Sequence, residues 1–154
     1  MSRHDHSRRN GFSLVEIMVV LLVMGLLATV AVLSMPGDEA RLRNEAERLA
    51  ARTMAARDEA ITGAAPVALV LGNAGYYFER RVDGAWQPVP GRGFDLTAWN
   101  DGTSAAVAGR SARSRIVFDS LGLASSDAAV RLARGKGGLT VRIARDGRVR
   151  IDGT

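Results

Sequence analysis

The chain has no cysteine, and its only two histidines, His4 and His6, stand within the first six residues. Those absences exclude a disulfide framework, a thiol nucleophile and a Cys/His zinc site, and leave no imidazole base beyond the N-terminal tail. Aromatic residues make up only 5% of the sequence, and four stand at Tyr76, Tyr77, Phe78 and Trp86. In a small sheet such rings build the core; the alternative is a stacking platform for bases. Gly135, Gly137 and Gly138 lack the spacing of a phosphate-binding loop and read as a flexible turn. Acidic residues are scattered over helix and turns, without a catalytic or metal-binding cluster. No cofactor is expected, and the chain does not read as an enzyme.

What the chain does have is one long apolar run. From Phe12 to Leu33 it reads FSLVEIMVVLLVMGLLATVAVL, with Glu16 its one charge, behind the basic leader MSRHDHSRRNG. A helix of that length is roughly 33 Å long, enough to cross a hydrocarbon core. The alternative, a buried core helix, fits poorly in so small a protein. Arg3, Arg8 and Arg9 keep the N-terminus cytoplasmic, which sends everything after Leu33 across the membrane. Ser34-Met35-Pro36-Gly37 is a poor signal-peptidase site. Glu16 stands apart, because a carboxylate within an apolar helix needs a partner or a task.

Gly11-Phe12-Ser13-Leu14-Val15-Glu16 followed by the apolar run resembles the processing site of type IV prepilins and of the pseudopilins of type II secretion. The resemblance implies cleavage between Gly11 and Phe12 by a prepilin peptidase and N-methylation of Phe12. It also implies that Glu16, then the fifth residue, meets the N-terminal amine of a neighbouring subunit. A carboxylate in lipid is tolerable when a cation is delivered to it. Removal of residues 1–11, which carry Arg3, Arg8, Arg9 and Asp5, takes the 21 basic and 16 acidic residues to 18 and 15, a net of +3. So mild an excess suits a soluble surface as well as a polyanion partner.

Beyond the apolar run, Pro36-Gly37 is expected to bend or interrupt the helix, with Asp38 capping a fresh start. A helix to about Ile61 follows, with Leu42, Ala46, Leu49, Thr53, Ala56 and Ala60 on one narrow stripe suited to close packing on a sheet. Glu39–Arg43, Arg41–Glu45 and Arg43–Glu47 have the spacing of ion pairs along the helix. Thr62 to Pro66 ends it. The rest reads as strands and turns: Val67–Leu71, Tyr76–Val82, Ser114–Phe118 and a weak strand at Ala129–Leu132, with Asn100–Ala112 a long loop.

The final hairpin has a determinate register. A three-residue loop, Arg145-Asp146-Gly147, with Gly147 left-handed, pairs Ile143 with Val149 and Val141 with Ile151 in the sheet core. Arg142 then faces Arg150 on the outer side, with Arg148 nearby and Asp152 diagonal to them. This strip reads as a solvated face, or alternatively as a polyanion contact.

Ala55-Ala56-Arg57-Asp58-Glu59-Ala60-Ile61-Thr62-Gly63, then Gly75-Tyr76-Tyr77-Phe78 with Trp86 and Pro88, Ile116-Val117-Phe118-Asp119-Ser120-Leu121-Gly122 and Gly147-Arg148-Val149-Arg150-Ile151 make the chain similar to H-type minor pseudopilins of type II secretion. The resemblance implies an α+β fold, a long N-terminal helix packed on a small antiparallel head of two sheets. The expected divisions are a cleaved leader (1–11), a membrane-spanning half-helix (12–35), an amphipathic half-helix (36–62) and a β-rich head (63–154). The implied place is the inner membrane, crossed once, with the head periplasmic. Implied partners are the prepilin peptidase, major and minor pseudopilins in a filament, the inner-membrane secretion platform and exported proteins. The alternative is a minor pilin of DNA uptake, since relatives of that kind hold nucleic acid with a C-terminal Gly-Arg-x-Arg like Gly147-Arg148-Val149-Arg150.

Overall fold

The computed structural model describes residues 13–33, 37–109 and 113–153. It divides into two units, one holding helix α1 (Leu14–Leu33) and the other beginning at Gly37. The expected break at Pro36 lies outside the described residues.

Helix α1 is apolar around its whole circumference, and its described side chains are exposed throughout, Leu14 at 78% and Leu27 at 64%. A rod with no polar face has no stable position in water and requires lipid or other helices around it. Thr29 satisfies its hydroxyl within the helix by donating to the Gly25 carbonyl at 2.9 Å. Counted over the described side chains, which in α1 stop at Val30, no helix is long and apolar enough to cross a membrane. The backbone helix continues to Leu33.

The second unit is built on helix α2 (Asp38–Thr62). All six residues of the expected stripe are buried, and Glu45 and Ala50 join them. Two local expectations fail. Gly37, not Asp38, is the N-cap, and no side chain caps the helix; the Asp38 carboxylate instead accepts Nε–H of Arg134 at 2.8 Å. Glu45 is only 4% exposed, and its Oε1 accepts the Asn100 N–H at 2.8 Å. A tertiary bond to an orphan backbone donor outweighs a surface pair worth a few tenths of a kcal/mol. None of the three expected ion pairs forms among the described residues.

The strands are β1 (Val67–Leu71), β2 (Gly75–Val82), β3 (Ala85–Pro88), β4 (Thr97–Ala98), β5 (Thr103–Val107), β6 (Ser114–Phe118), β7 (Ala128–Arg134), β8 (Gly137–Ile143) and β9 (Val149–Gly153). They form two antiparallel sheets, the first in the order β3-β2-β1-β6 with β4 also on β2, the second β5-β7-β8-β9. Helix α2 contacts β1 and β6 of one sheet and β7, β8 and β9 of the other. One core results, in which Leu42 and Leu49 of α2 join Leu69, Phe78, Ile116 and Phe118 of the first sheet and Val130, Leu132, Val141 and Ile143 of the second.

Two further readings change. Part of the expected loop at 100–112 is strand β5, paired to β7 from Thr103↔Arg134 to Val107↔Val130; residues 110–112 lie outside the described residues. Its small side chains gave little periodic signal, yet they fit beside a neighbouring strand. The weak strand at 129–132 is the interior strand β7, with Val130 and Leu132 fully buried. Tyr76 and Phe78 are core, in edge-to-face contact at 5.9 Å, whereas Trp86 is only partly buried.

Candidate functional site

Of the N-terminal processing residues, Gly11 and Phe12 lie outside the described residues, and Glu16 sits in the first turn of α1. The Ser13 carbonyl accepts the N–H groups of Glu16 at 2.9 Å and Ile17 at 3.3 Å, which starts the helix. Orphan N–H groups give this end a partial positive charge, so a carboxylate there is favoured over one at the helix centre. Glu16 is exposed and is the single charged side chain of α1.

The C-terminal hairpin has the expected register: Ile143↔Val149, Arg142↔Arg150 and Val141↔Ile151. Gly147 is left-handed, with φ of 79°, and its N–H donates to the Ala144 carbonyl at 2.8 Å; the Ala144 N–H donates to the Arg148 carbonyl, also at 2.8 Å. Ile151 departs from expectation. It is 37% exposed, because β9 is the outer strand of its sheet and leaves the side chain covered from one side only.

The arginine strip is largely neutralised within the hairpin. Arg142 Nε donates to Asp152 at 2.5 Å and Arg148 Nε to Asp146 at 2.5 Å, which leaves Arg150 facing Arg142. The Arg148 N–H and then its guanidinium hold the Asp146 carboxyl below the usual range, against the opposing effect of desolvation. The contribution of this contact is therefore complete above the ordinary carboxylate pKa and is lost as pH falls through the lowered value. Exposed pairs of this kind contribute little. The triple change Arg142→Gln, Arg148→Gln, Arg150→Gln is expected to shift unfolding stability by under about 1 kcal/mol. Chemical denaturation of the two proteins measures it, and a larger loss shows that the strip carries structure.

A site missed in the sequence lies where the turn after β6 meets this hairpin. The side chain of Arg57, from the last turns of α2, fits against both Gly122 and Gly147, which are left-handed at φ of 80° and 79°. An added Cβ at Gly147 meets the Gly122 carbonyl oxygen at 2.2 Å and Arg57 Nε at 2.7 Å; at Gly122 it meets Ile61 at 2.8 Å. Asp119 fixes the turn by accepting the N–H groups of Leu121 and Leu123, each at 2.9 Å. The Ala124 N–H donates to the Arg145 carbonyl at 3.0 Å, which ties the two loops together. Phe118-Asp119-Ser120-Leu121-Gly122 and Gly147-Arg148-Val149-Arg150 are thus one junction, although the sequence shows them as separate motifs.

Among the described residues no group of three or more His, Asp or Glu is placed to hold a metal ion.

The family described as Type II transport protein GspH matches residues 45–147, and the prokaryotic N-terminal methylation motif matches residues 6–32. The type II secretion system protein H of Aeromonas hydrophila is 34% identical over 95 residues, 59% of this chain and 50% of that protein. The match thus spans half the length of that relative. The minor pseudopilin EpsH of the Vibrio cholerae type 2 secretion system shares the fold, with a TM-score of 0.64 at 13% identity, over 73% of this chain and 97% of the other. The type IV minor pilin FimU of Pseudomonas aeruginosa shares it less closely, at 0.55 and 19%, over 72% and 87%. The DNA-uptake alternative finds no support here, since the matching family is one of type II transport and two of the three arginines offered to nucleic acid are paired. The match covers well over half of the sequence, and the chain belongs to the GspH family of type II transport proteins, with an N-terminal methylation motif ahead of the family domain.

Proposed function

We propose that the chain is a structural minor pseudopilin, a non-enzymatic subunit of the type II secretion pseudopilus that helps export folded proteins across the outer membrane. One observation carries this reading: a methylation motif leads into a helix apolar on every side, with Glu16 its one charge, and a GspH domain follows in the same chain. Residues 1–11 are the leader, 12–35 cross the inner membrane, 36–62 are the amphipathic half-helix, and 63–154 form the periplasmic head. A prepilin peptidase cuts between Gly11 and Phe12 and methylates Phe12. Glu16 receives the new amine of the adjoining subunit, pairing two charges that are each costly alone in lipid. Major and minor pseudopilins and the inner-membrane platform are the partners of assembly.

Co-expression with the peptidase tests this. The intact mass is expected to fall by residues 1–11 and rise by one methyl group, and Gly11→Ala is expected to stop the cut. An unprocessed wild-type chain, or cleavage near Ala31, overturns the reading.

A further inference from the structure

Arginines without a carboxylate partner among the described residues also stand away from the C-terminal hairpin, on the first sheet. In the first sheet the pairings Val70↔Tyr77, Val70↔Arg115, Ala68↔Glu79, Glu79↔Pro88 and Arg81↔Trp86 put these residues on one face, since directly opposed residues point the same way. The other face delivers Leu69, Tyr76, Phe78, Ile116 and Phe118 to the core shared with α2. Ala68 and Val70 stand outside that core, yet they are 0% and 2% exposed. Their direct neighbours on the adjoining strands carry long side chains, Tyr77 and Arg115 beside Val70 and Glu79 beside Ala68.

Those side chains are held in place. Arg115 donates to Glu79 at 2.6 Å, and its guanidinium is 5.0 Å from the centre of the Trp86 ring. Arg81 lies 5.8 Å from the same ring. Arg113 lies 5.8 Å from the Tyr77 ring and donates to its hydroxyl. Glu79 is the one carboxylate in this set, and Arg115 takes it. Arg81 and Arg113 are exposed and have no carboxylate partner among the described residues. Aromatic rings fix the position of a guanidinium without cancelling its charge. Two cations are therefore presented in set positions, with much of their rotamer freedom already lost before a partner arrives. Arginine, tryptophan and tyrosine are also the residues that dominate interface energetics.

We propose that this face docks an acidic patch on a folded exported protein. The source of the partner rests on the function proposed above, in which the subunit serves the export of folded proteins. The charge excess selects an acidic partner. The rings do not suit stacked bases, because guanidinium groups already lie over them.

The test uses the mature full-length chain in detergent micelles, with fluorescein-labelled deca-glutamate and a ten-residue thymidine oligonucleotide as probes. Deca-glutamate is expected to bind in a salt-dependent way. The double change Arg81→Gln, Arg113→Gln is expected to weaken that binding about tenfold, and Arg142→Gln, Arg150→Gln less than about twofold. Circular dichroism confirms that both variants are folded. Absence of binding, equal losses in the two variants, or tighter binding of the oligonucleotide overturns the proposal. In secretion-competent cells a photoreactive residue in place of Pro88, on the same face, is expected to form adducts with exported proteins. Adducts confined to filament subunits overturn the assignment. The processing measurement is independent of both probes, so failure of this surface and failure of the assembly reading are told apart.

Discussion

Gly147→Ala is expected to destabilise the head by about 3 kcal/mol, from two additive causes. Its φ of 79° places an L side chain in the left-handed region, at a cost of roughly 1–2 kcal/mol. The new Cβ also stands 2.2 Å from the Gly122 carbonyl oxygen and 2.7 Å from Arg57 Nε, so the two loops must separate, as in an overpacked core, for about 1–3 kcal/mol more. Gly84 supplies the control. It has nearly the same backbone conformation, φ of 82°, but nothing within 4 Å of an added Cβ. Gly84→Ala is therefore expected to cost only the conformational share, about 1 kcal/mol. Denaturant unfolding of both variants at unchanged m-value measures the difference. Equal losses show that the close approach of the two loops carries no energy.

Leu132→Ala is expected to cost a similar or larger amount, about 2–5 kcal/mol, against a total stability of roughly 5–15 kcal/mol for a domain of this kind. Leu132 is fully buried in β7, an interior strand, between Ala105 of β5 and Leu139 of β8. Truncation leaves a cavity that paired strands on both sides cannot collapse to fill. Ile151→Ala, at the 37% exposed position on the edge strand, is expected to cost under about 1.5 kcal/mol. Comparable losses at the two positions refute the assignment of β7 to the interior.

Much of the protein was legible in the order of its residues, for reasons that act locally. The Gly11–Glu16 motif and the apolar run identify themselves by composition and spacing. The stripe from Leu42 to Ala60 follows from the 3.6-residue period, and strand β1 from a short apolar run between turns. The C-terminal register follows from one constraint: only a three-residue turn keeps Ile143 and Val149 on the same side, and Gly147 can close it. Local rules also mislead where a distant group intervenes. Asp38 has the chemistry of a cap but lies within reach of Arg134, 96 residues further on. Glu45 has the spacing of an ion pair, yet the Asn100 N–H needs an acceptor inside the head.

The sequence by itself determined the apolar run, the helix face and the turns, because each depends on residues within a few positions of one another. Only the tertiary structure decided which strand is interior, which glycines stand against Arg57 and which arginines are left unneutralised. Strand β5 shows why: its five small residues have too little hydrophobic contrast to register alone, and pairing with β7 supplies the hydrogen bonds and cover that they lack. The charges show it too. Arg142 and Arg148 stand in a hairpin with Asp146 and Asp152 and are neutralised there. Arg81, Trp86 and Arg115 meet because antiparallel pairing of β3, β2, β1 and β6 folds distant segments onto one face.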